Sequence, residues 1–114
     1  MKIVAALIAL ALPCTASAQV SGPVTYGPGH KLCSEWSAAE AKPDDHEYMA
    51  NRFFIAGVMS AYNLYVSPAG YDIGKGLRPE DMKAFMHDQC AAHPTYTIAT
   101  AAVAWIGYLK KRPQ

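Results

Sequence analysis

The sequence predicts an all-α domain, a small four-helix bundle with one interhelical disulfide. Three observations lead there. Apolar residues recur at helical spacing in four stretches, and proline and glycine separate those stretches. No stretch makes a convincing strand. Removal of an N-terminal leader leaves two cysteines, Cys33 and Cys90, an even count that fits one bridge without pairing ambiguity.

The leader comes first in the argument because it sets the redox compartment. Lys2 gives a positive start, an unbroken apolar run follows over 3–12, and Ala16-Ser17-Ala18 offers small residues for cleavage before Gln19. That is a secretory signal peptide over 1–18, too short and wrongly flanked for a membrane span. Cys14 leaves with it. Pro13 directly before Cys14 argues against a lipoprotein signal, which wants small residues there. A periplasmic or secreted location is expected, and with it an oxidised Cys33–Cys90 pair. The pair encloses roughly 58 residues, for which chain entropy suggests a stabilisation of about 4 kcal/mol. A domain this small gains from such a staple, since it buries only about 60–65% of its unfolded surface.

Residues 19–31 carry Gly22, Pro23, Gly27, Pro28 and Gly29 and read as a flexible Gly/Pro-rich leader, with the helical domain over 32–112. The first helix is expected over 33–41, with Trp36 and Ala39 on one face and Glu35 and Glu40 towards water. Pro43 ends it, because a residue before proline avoids the helical region. Asp44-Asp45 then gives an acidic start to a helix over 46–66. Phe54, Val58, Ala61, Tyr62 and Tyr65 form its stripe, widened by Ile55 and Met59. A helix apolar almost all round is central in a bundle, and Gly57 in its middle suggests a close helix contact. Its apolar run is short of the ~20 residues that a bilayer needs.

A loop over 67–77 contains Gly70, Gly74 and Gly76. Pro79-Glu80-Asp81 suits a first helical turn, and Met82, Phe85, Met86, Gln89 and Cys90 give the third helix one face. Pro94 opens the fourth, expected over 95–111, with Ile98, Ala101, Ala102, Trp105 and Leu109 inward. Lys110, Lys111 and Arg112 suit the negative end of its dipole.

Charge limits the function classes. The chain has 10 basic and 9 acidic residues, and loss of Lys2 balances them. No basic stripe points to nucleic acid. In strong acid, with carboxylates and the four histidines protonated, the side chains sum to about +13.

The candidate chemical groups are few. His87, Cys90 and His93 have metal-like spacing, yet three-residue steps rotate them round a helix, and a disulfide removes the thiolate. Asp44-Asp45-His46 reads as a helix start rather than as part of a hydrolase site, with no nucleophile elbow to match. Met49, Met59, Met82 and Met86 read as core filler rather than as copper ligands. No catalytic residue, cofactor or metal site is expected, and the chain is not expected to be an enzyme. The seven tyrosines admit two readings, exposed at a protein contact or lining a small core with hydroxyls at its edge.

The signal, the early "LCSEW", the "FIAGVMSAYN" helix and the late "MHDQCAAHP" before an Ala-rich helix together resemble the HdeA family of periplasmic acid-stress chaperones, over 32–109. The resemblance implies a small helical periplasmic protein whose disulfide joins two helices, at positions matching Cys33 and Cys90. It also implies a homodimer near neutral pH that dissociates and partly unfolds in acid, exposing apolar surface to unfolding client proteins. The "Cys-x-x-His-Pro" turn before an Ala-rich helix is also similar to Tai-type immunity proteins, which neutralise secreted cell-wall amidases by binding them. A secreted helical protein with neither role is the remaining alternative. Each of these readings has other proteins as partners, no nucleic acid and no membrane span once the signal is gone.

Overall fold

The computed structural model describes residues 24–113, so the signal peptide expected over 1–18 lies outside the described residues. Within them the chain forms four α-helices: α1 (Cys33–Glu40), α2 (His46–Tyr65), α3 (Pro79–Ala92) and α4 (Ile98–Leu109). The described residues contain no strand beyond an isolated bridge between Leu32 and Thr97.

The core lies where α1 and α4 meet the inner face of α2, with α3 packed on α1 and α4. Trp36, Tyr48, Ile55, Met86, Ile98, Trp105 and Leu109 are fully buried there. Each large apolar side chain so buried contributes about 1.5–3 kcal/mol. The expected inner face of α4 is the observed one, with Ile98, Ala101, Ala102, Trp105 and Leu109 all buried. The Cys33–Cys90 disulfide joins the start of α1 to the last turn of α3, with a Cα–Cα distance of 4.7 Å.

The junction between α3 and α4 also anchors α1. Its first backbone N–H groups have no partner inside the helix. Cys33 donates to the Tyr96 carbonyl (2.7 Å) and Ser34 to the Pro94 carbonyl (3.0 Å). Pro94 therefore belongs to a turn, not to the last helix. That helix starts at Ile98, where the Thr97 hydroxyl accepts from the Thr100 N–H at 3.1 Å as its N-cap.

Three other expectations change. Ordered packing begins before Leu32: Gly27–His30 form a 3-10 turn against α2 and α4. Gly29 is buried so tightly that a Cβ there would collide with the Phe54 ring. Glu40 does not face water but meets His87 of α3. The glycine-rich loop is pinned to α2. Asn63 accepts from the Ile73 N–H (3.0 Å) and donates to Asp72 (2.9 Å), and Ile73 plugs the core.

The third change concerns α2, which is not central. Tyr48, Asn51 and Ile55 are its buried residues, with Tyr62 half-buried on the same side, while Ala61 and Tyr65 are exposed. Gly57 touches no neighbour. Apolarity on every side does not tell which side is covered; here α2 has one packed face and one open face.

Candidate functional site

At 100° per residue, Met49, Phe53, Ala56, Gly57, Ser60 and Leu64 fall within an arc of about 100° on α2. All six are exposed. Phe53 is 68% and Leu64 74% accessible. Most exposed apolar residues on a monomer are scattered. Here they form a continuous stripe on one helix.

One edge of this stripe descends into a groove of about 300 Å³ between α2 and the start of α3. Met49, Phe53 and Met59 form one wall, and Leu77 and Met82 the other. Three methionines expected as core filler thus line a surface groove, and only Met86 is fully buried. Met59 also reaches the core, where its sulfur accepts from Trp105 Nε1 at 3.3 Å.

Two guanidinium groups edge the groove, and they differ in partners. Arg78 donates to Asp81 through its backbone N–H (2.9 Å) and its side chain (3.2 Å). These bonds hold the Asp81 carboxyl below its ordinary pKa. Arg52 lies over the Tyr48 ring, 5.7 Å from its centroid. No carboxylate is within ion-pairing distance of Arg52 among the described residues, and its buried Nε has no hydrogen-bond partner.

The residues singled out by spacing do not converge. Cys90 is bonded to Cys33, His87 Nδ1 lies 2.8 Å from Glu40 Oε2, and His93 stacks on Tyr96 at 4.3 Å. Asp45 accepts from the Glu47 N–H at 3.1 Å as the N-cap of α2, and His46 leans over it into solvent. The tyrosines divide between both readings. Tyr26, Tyr65 and Tyr108 are exposed, while Tyr48 is buried, edge-on to Trp36. Burial first, then the Glu40 charge, raises the Tyr48 pKa, and Arg52 opposes them.

The His87–Glu40 pair is the one titratable contact between α1 and α3 that carries a resolved shift. The hydrogen bond to Glu40, then its charge, raises the His87 pKa. Sequence spacing could not reveal it, because the partners are 47 positions apart. The groove was equally hidden, since periodicity marks its methionines as apolar but not as uncovered.

Comparison with known proteins finds no matching family model, curated protein or solved structure.

Proposed function

We propose that this is a small periplasmic HdeA-like protein that binds other proteins through the open apolar face of α2, as a pH-responsive chaperone or stress protein. The exposed stripe from Met49 to Leu64 carries this reading. An uncovered apolar surface on a small domain is what a holder of partly unfolded chains requires. The charge balance adds to it: near neutrality the chain is almost uncharged, and in acid it becomes strongly cationic, which keeps a client complex dispersed. The His87–Glu40 contact joins α1 to α3 through a titratable histidine and so supplies a point where pH acts on the fold.

The test is light scattering of an acid-denatured client at pH 2–3, with and without the protein. Suppression is expected, weakened in a Phe53→Ser, Leu64→Ser double variant. A protein that keeps its fold and oligomeric state at that pH and leaves aggregation unchanged overturns the proposal. The exposed Tyr26, Tyr65 and Tyr108 favour a second reading, a Tai-type immunity protein that binds a secreted amidase. Tight capture of a cell-wall amidase is then expected; no binding at micromolar concentration removes that reading.

A further inference from the structure

We infer that the groove between α2 and α3 is a binding site for a single-chain anionic amphiphile, an alkyl carboxylate of medium length. This inference does not depend on the chaperone reading.

Its apolar part is set by Met49, Phe53, Met59, Leu77 and Met82, which line a groove of about 300 Å³ that is half open to solvent. That lies at the small end of ligand pockets and suits one alkyl chain of about ten carbons. Methionines favour such an occupant, because an unbranched thioether adapts to a flexible chain. The polar part is set by Arg52. Arg78 already has Asp81 as its counter-charge, whereas Arg52 has none among the described residues and lines the same groove. An apolar slot with one uncompensated guanidinium at its edge complements a chain ending in a carboxylate, which the guanidinium can grip through two parallel hydrogen bonds. A neutral chain leaves that charge unmatched, and a cationic one is repelled.

The experiment uses the full mature protein with its disulfide intact, labelled at the methionine methyl groups, at pH 7.4. Sodium decanoate is titrated below its micelle concentration and followed by NMR. The methyl signals of Met49, Met59 and Met82 are expected to shift saturably while that of the buried Met86 stays in place. Decanol is expected to bind about tenfold more weakly, as loss of a charged hydrogen bond implies, and decyltrimethylammonium more weakly still. Arg52→Gln should weaken decanoate about tenfold and leave decanol unchanged. Ala56→Trp, at an exposed position lining the groove, should block both ligands without disturbing the helical circular dichroism, which keeps the test decisive if the arginine variant folds poorly. No saturable shift, equal binding of the cationic amphiphile, undiminished binding to Ala56→Trp, or a groove covered by a second copy of the chain would each overturn the inference. A failed aggregation assay with these shifts intact would remove the chaperone reading alone.

Discussion

His87 of α3 and Glu40 of α1 meet at 2.8 Å, Nδ1 to Oε2, on the same two helices that the disulfide joins. The carboxylate raises the histidine pKa, so the stabilisation is complete below the unfolded histidine value and disappears as pH rises through the folded one. In an NMR titration of the native protein, His87 is expected to titrate above about 6.5, the ordinary value, and Glu40→Gln to bring it back. Unchanged titration in that variant would mean that the contact is not formed in solution.

The disulfide joins helices far apart in sequence, and its loss should be felt throughout the molecule. Cys33→Ala, Cys90→Ala is expected to lower unfolding stability by about 2–5 kcal/mol, measured by urea denaturation. A midpoint equal to that of the oxidised protein would show that the staple adds nothing.

Gly57 stands in the open face of α2 with no atom near the position that a Cβ would take. Gly57→Ala should therefore stabilise the protein by close to the difference in helix propensity, about 1 kcal/mol. Thermal unfolding reads this directly. A lower melting temperature would place a neighbour against that residue.

Asn51 is fully buried, and neither its amide oxygen nor its nitrogen has a hydrogen-bond partner among the described residues. A buried polar group without a bond costs about 1–3 kcal/mol, so Asn51→Leu, which keeps the branching and the number of side-chain heavy atoms, should be neutral or stabilising. Chemical denaturation that finds it markedly less stable would assign the amide a bonded role.

The sequence was most legible where apolar residues occupied one side of a helix. Ile98, Ala101, Ala102, Trp105 and Leu109 could face only inward, and they do. The cysteine count likewise left one pairing. In α2 the same method failed, because Phe53, Leu64 and Tyr65 are as apolar as Ile55, and only the placement of α1, α3 and α4 decides which of them is covered. Contacts between distant positions were illegible for another reason. Glu40 looked like a solvated helix end until α3 placed His87 beside it, and nothing in the spacing of Asn63 marked it as the brace of the loop around Asp72 and Ile73.

The bond between Cys33 and Cys90 closes a ring of chain containing all of α2 and the glycine-rich connection, while α4 lies outside it. A protease that nicks any peptide bond in that ring leaves two fragments still covalently attached. The cleaved molecule should run as one species on a gel without reductant and separate into two only once a thiol is added.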